Sequence, residues 1–164
     1  MTKTRTTRLA LVAAATALSA AFLTPGIAAA RSVTLSTQLT NYGGKGAYVA
    51  IYLTDADGAY QGSLWMAGGK AKYYKHLRGW MRATGGDRAQ VDGITGASVG
   101  SGQSLSVTVD IADALIDAGY QIRVDTAAEE MAENPADVVV DLTAAGAGKA
   151  VAGNGYVSAF QYDM

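Results

Sequence analysis

Cysteine is missing altogether from the 164 residues, and histidine occurs once. The first absence removes disulfide staples and the lipobox cysteine on which a lipid anchor is built. The second leaves His76 without the Cys or His partners that a metal site needs, so it reads as a boundary residue beside a helical apolar face. Prolines are scarce as well, two against twenty glycines, which suggests many tight turns and few linkers. Neither a nucleophile elbow nor the spacing of a Ser-His-Asp triad appears, so hydrolytic catalysis has no basis in the chain. Beyond the N-terminus no apolar run is long enough to span a bilayer, and the domain is not expected to cross a membrane itself.

What is present begins with an export signal. Lys3, Arg5 and Arg8 form a positive start, Leu9 to Leu23 an apolar run, Pro25-Gly26 a break, and Ala28-Ala29-Ala30 the small residues of a cleavage site. Cleavage is expected after Ala30. Thr6-Thr7 separate Arg5 from Arg8, so the general secretory route is expected and not the twin-arginine route. The product is periplasmic or extracellular. Residues 31–164 remain, enough for one domain with its own core. Taking the leader's three basic residues from the thirteen leaves ten against fourteen acids, a formal charge of −4. That balance lacks the clustered basic surface of a nucleic-acid-binding domain.

Along the mature chain the dominant period is two. Ser32–Leu39, Ala47–Thr54, Ala59–Met66, Leu105–Ile111, Tyr120–Val124, Val138–Leu142 and Gly155–Tyr162 read as strands. In the clearest, Val49, Ile51 and Leu53 occupy one face, with Tyr48 and Tyr52 on the other. Asp55-Ala56-Asp57-Gly58 between two such patterns predicts a hairpin turn, in preference to a calcium loop that lacks its further oxygen ligands. From Lys70 to Thr84 the period lengthens: Tyr73, Leu77, Trp80 and Met81 fall on one helical stripe, Lys75, Arg78 and Arg82 opposite. Glu129, Glu130, Glu133 and Asp137 make an acidic, solvated patch before Val138. Seven short strands and one inserted amphipathic helix predict an all-β, immunoglobulin-like antiparallel sandwich.

The order and spacing of Tyr48-Val49-Ala50-Ile51-Tyr52, Asp55–Gly58, Leu64-Trp65, the Lys72–Trp80 segment, Asp92–Ser98 and Gly153-Asn154-Gly155-Tyr156 resemble the predicted periplasmic family called domain of unknown function 2271. The resemblance covers most of the mature chain. It implies an immunoglobulin-like sandwich, and association with flavin transferases and with membrane redox proteins of the PepSY type. Within it, Asp92-Gly93-Ile94-Thr95-Gly96-Ala97-Ser98 resembles the acceptor motif D-x-x-[ST]-G-A-[ST], on which an FAD:protein FMN transferase attaches FMN. By that likeness Ser98 is the acceptor and Thr95 holds the turn. Asp92 is read by the transferase or sits near its Mg²⁺, and Gly96-Ala97 keep the backbone small on what is expected to be an accessible, bendable loop. The carriers in sodium-pumping quinone reductases end this motif in Thr; a serine hydroxyl can do the same chemistry. Trp80, Tyr73, Tyr74 and Trp65 are the aromatics expected to receive a tethered flavin, and Lys75, Arg78 or Arg82 the cations expected near it. The expectation is an exported, FMN-bearing electron carrier, with no substrate of its own, working with a membrane redox partner. The alternative is a non-redox immunoglobulin-like module docking on a membrane protein or ligand.

Overall fold

The computed structural model describes residues 29–164, and the leader expected over residues 1–30 falls almost wholly outside them. Alternation of apolar and polar residues produces eight strands. They are β1 (Ala30–Leu39), β2 (Tyr48–Thr54), β3 (Tyr60–Ala67), β4 (Thr95–Gly96), β5 (Ser104–Ala112), β6 (Gln121–Ala127), β7 (Glu133–Asp141) and β8 (Val157–Asp163). β1 lies between β5 and β8 in a three-stranded sheet; a second sheet runs β4-β3-β2-β6-β7. Two packed sheets give the expected sandwich. All pairings are antiparallel but one, since β4 runs parallel to β3.

The core follows from which face each residue takes. Val33, Leu35 and Leu39 of β1, Val49, Ile51 and Leu53 of β2, Ile122 and Val124 of β6 and Phe160 of β8 fill the space between the sheets. The alternate residues of β2 and β3, among them Ala50, Tyr52 and Met66, face outward, and this second apolar face is also buried. Tyr74, Leu77, Trp80 and Val91 cover it, so the chain from 71 to 91 forms a third layer on the larger sheet. The hairpin forms as expected: Asp55 Oδ1 accepts the N–H groups of Asp57 (3.0 Å) and Ala59 (2.8 Å).

The covering layer departs from the continuous helix expected over Lys70–Thr84. A 3₁₀ segment spans Ala71–His76, Leu77 breaks it at φ −84, ψ 72, and α1 (Arg78–Ala83) follows. A 3₁₀ turn brings residues three apart into line, whereas an α-helix aligns those three and four apart. The buried stripe is therefore Tyr74, Leu77, Trp80, and Tyr73 is displaced from it to the half-exposed edge. A buried carboxylate fixes the break. Asp125, wholly buried on the outward face of β6, accepts the backbone N–H of Trp80 (2.7 Å), the N–H of Ala136 (2.9 Å) and the Tyr52 hydroxyl (3.1 Å). Burial, then the charge of Asp125, push the Tyr52 phenol far above its ordinary range, so it stays a donor.

The acidic patch expected at 129–137 also needs correction. Pro135 stands in β7, an edge strand, where its missing N–H breaks no ladder. Thr126 pairs with Asn134 but Val124 with Val138, so β7 bulges between. The bulge, with Ala136 at φ 51, places Asp137 in the interior, 1% exposed. There Asp137 accepts the Thr126 hydroxyl (2.6 Å) and the N–H groups of Gly155 (2.7 Å), Tyr156 (2.8 Å) and Val157 (3.2 Å), fastening the start of β8 to the other sheet. It is a structural acid and not a solvated one.

Candidate functional site

Strand register gathers four segments at one end of the larger sheet. Tyr48, the first residue of β2, pairs with Ala127, the last of β6, and Val49 pairs with Ala67, the last of β3. β4 continues alongside that end of β3, and Val99 bridges back to Ala47. The 41–46 turn, the 68–76 segment, the 95–99 stretch and the 128–132 turn therefore meet. Between them opens a cleft of ≈ 340 Å³, lined in part by Ser98, Tyr48, Tyr73, Lys45, Lys70 and Met131.

The sequence motif enters this site as structure, not as a free loop. Asp87 caps a 3₁₀ turn at Arg88–Val91 by accepting the Ala89 N–H (3.0 Å), and Asp92 ends that turn on the exposed surface. The chain then straightens. Met66 donates its N–H to Ile94 (3.0 Å) and Gly68 donates to Gly96 (2.8 Å), so Thr95-Gly96 is an edge strand where a bendable loop was expected. Gly96 has a packing reason: a Cβ there would lie 2.8 Å from Cζ2 of Trp65. Thr95, Ala97 and Ser98 are exposed. Gly46 faces Ser98 across the cleft wall, and a Cβ on Gly46 would lie 2.7 Å from Ser98 Oγ. The missing side chain keeps that hydroxyl clear.

The remaining walls are aromatic and charged. The Tyr48 ring packs on Gly68, where any Cβ would collide with it. Tyr73 stands edge-on to Tyr48 with ring centroids 5.5 Å apart, and Lys72 Nζ lies 4.8 Å from the Tyr73 centroid. Lys45 Nζ pairs with Glu129 (2.9 Å); the bond raises the pKa of Lys45 and lowers that of Glu129. His76 Nδ1 meets Glu133 (2.6 Å), and Arg78 pairs with the other oxygen of the same carboxylate. The His76 hydrogen bond is the largest influence holding the Glu133 carboxyl below its usual range; desolvation comes next and opposes it, and Arg78 adds to the lowering.

Of the residues singled out from the sequence for a flavin, Ser98 and Tyr73 share the cleft, and His76 and the acidic Glu129, Glu130 and Glu133 line it as well. Asp92 and Thr95 are exposed on the approach to it and are not among its lining residues. Trp80 is not available to a ligand: it is wholly buried, its indole N–H donates to Ser63 Oγ (2.9 Å), and its ring stands edge-on to Tyr74, itself buried. Trp65 packs beneath Gly96. Arg78 is taken up by Glu133, and the cations on the cleft are Lys45 and Lys70, with neither Lys75 nor Arg82. Tyr48, Lys45, Lys70 and Met131 were missed because they meet only through the pairing of β2 with β3 and with β6, which spacing alone does not disclose. The signal within reach was that Tyr48 lies on the face of β2 opposite the core.

No curated protein and no solved structure matches the chain. Residues 30–159, from the first residue of β1 into β8, match the family model described as "Predicted periplasmic protein (DUF2271)", and the chain belongs to that family.

Proposed function

We propose that the protein is an exported electron carrier bearing FMN in phosphoester linkage on Ser98, and that it exchanges electrons with a membrane redox partner. The observation that carries this reading is the position of Ser98. The last hydroxyl of Asp92–Ser98 is exposed, kept clear by Gly46, and placed on the rim of a cleft lined by two tyrosines, two lysines and three glutamates. With Lys45 paired to Glu129 and Glu133 to Arg78, what remains to receive the group is a hydroxyl to esterify, the Lys70 ammonium for a phosphodiester anion, and aromatic rings for a flat heterocycle. In the transfer, Ser98 Oγ forms a bond to the flavin-side phosphorus of FAD as the bond from that phosphorus to the bridging oxygen breaks. AMP leaves with that oxygen, and the serine proton is released. The flavin supplies the redox chemistry, and the chain supplies tether, orientation and electrostatics.

The test is co-expression with an FAD:protein FMN transferase and export. The intact mass is expected to rise by one FMN less one water, giving a fluorescent band on a denaturing gel, and Ser98→Ala is expected to abolish both. Loss of the adduct in Thr95→Ala but not in Ser98→Ala would move the acceptor to Thr95. Absence of any adduct refutes the carrier reading and leaves the non-redox binding module.

A further inference from the structure

The function above concerns one oxygen atom; the cleft beside it has a use of its own. Resting on that reading, we propose that the cleft is the seat of the isoalloxazine ring, with Tyr73 as the positioning aromatic and Lys70 as the cation for the phosphodiester on Ser98.

Size is the first argument. Clefts that enclose whole ligands run from about 300 to 1,000 Å³, and ≈ 340 Å³ stands at the low end. The space suits one flat ring system and not a dinucleotide. Shape is the second. Tyr48 is immobilised by its contact with Gly68, and Tyr73 lies edge-on to it, which makes a rigid aromatic corner. Met131, 37% exposed, is on the other lip, its sulfur lying over Gly44, and a thioether adapts well to an aromatic face.

Charge is the third argument. Of the charged residues that line the cleft with Ser98, Lys45 is engaged by Glu129 and Glu133 by His76 and Arg78, whereas Lys70 and Glu130 have no ion-pair partner among the described residues. A phosphodiester on Ser98 thus meets an ammonium without first breaking an ion pair. The placement of Tyr73 also needs explaining on other grounds. Its displacement from the buried stripe leaves a large aromatic half-exposed at the mouth of a cleft, where it adds little to the core.

The experiment uses the exported, FMN-loaded protein, with flavin emission, emission anisotropy and visible circular dichroism as readouts. Tyrosine in contact with a flavin quenches its emission, and a seated ring acquires a dichroic band. The loaded protein is expected to emit several-fold less than free FMN, with slow-tumbling anisotropy. Tyr73→Ala is expected to restore emission and remove the dichroism with the adduct mass unchanged. Lys70→Ala is expected to lower the anisotropy and leave the adduct in place. Emission and anisotropy in the loaded wild type like those of a freely swinging flavin would overturn the seat while leaving the carrier reading intact. If no adduct forms, the seat is tested alone by titrating riboflavin into the unmodified protein. Saturable quenching lost in Tyr73→Ala supports it, and its absence overturns it.

Discussion

Replacing Gly79 by alanine sets two effects of comparable size against each other. Helix propensity favours the change by about 1 kcal/mol, since Gly79 lies in α1. Packing opposes it, because a Cβ on Gly79 would stand 2.6 Å from both carboxylate oxygens of Asp125 and 2.9 Å from Cγ. That carboxylate cannot retreat freely: it is wholly buried and holds the Trp80 and Ala136 N–H groups and the Tyr52 hydroxyl. Hydrogen bonds to a charged group are worth about 1.5–3 kcal/mol each. Losing one and stretching another costs about 3 kcal/mol, so Gly79→Ala is expected to destabilise by about 2 kcal/mol net. Urea unfolding followed by tryptophan fluorescence measures it, with an unchanged denaturant slope marking a folded-state effect. In an Asp125→Ala background the obstruction is gone, and the same substitution should become neutral or stabilising by up to about 1 kcal/mol, a coupling of about 2–3 kcal/mol across the cycle. A Gly79→Ala protein about 1 kcal/mol more stable than wild type would refute the account of how α1 is held.

Two further outcomes follow from buried and half-buried acids. Asp137→Asn keeps one acceptor oxygen but turns an amine toward backbone N–H donors now bound by the carboxylate. It should cost about 2–3 kcal/mol in urea unfolding, and a cost under about 0.5 kcal/mol would mean that the acid does not fasten β8. Glu133→Gln tests the partly exposed His76–Glu133–Arg78 cluster. Because the folded carboxyl is held below its ordinary value, its stabilisation is fully present above the unfolded glutamate range and is lost as pH falls through the lowered folded value. Wild type should exceed the variant by about 0.5 kcal/mol near neutrality, and the two should converge in acid. A difference that persists there would show that the gap is not one of charge.

The sandwich was legible because its strands carry the signal in their own residues. Val49, Ile51 and Leu53 alternate with Tyr48 and Tyr52, and the structure sends the two sets to the two faces of one sheet. What escaped depends on partners far away in the chain. Nothing local marks Leu77 as a break; the cause is Asp125, whose own burial depends on the outward face of β6 being covered. Asp137 looked like one more acid in an acidic run, and only the bulge beside Pro135 turns it inward. The site divides the same way. Ser98 could be singled out from seven contiguous residues. The cleft that it faces is assembled from four segments, and Trp80, which the resemblance offered as a flavin platform, is spent on the core.

The pairing of Thr95-Gly96 with β3 has a consequence for timing. With Met66 and Gly68 bonded to one side of this stretch and Ala47 bridged to Val99 just past Ser98, the proposed acceptor stretch is held at both ends. A modifying enzyme that needs this stretch drawn out of the fold cannot obtain it from the finished domain without peeling β4 from the sheet. If Ser98 is the acceptor proposed above, attachment and folding are competing rates: the enzyme acts while the chain is still open, or it must recognise a fixed edge whose shape is already set. In the first case the yield of modified protein would fall as refolding is made faster, and in the second it would not change.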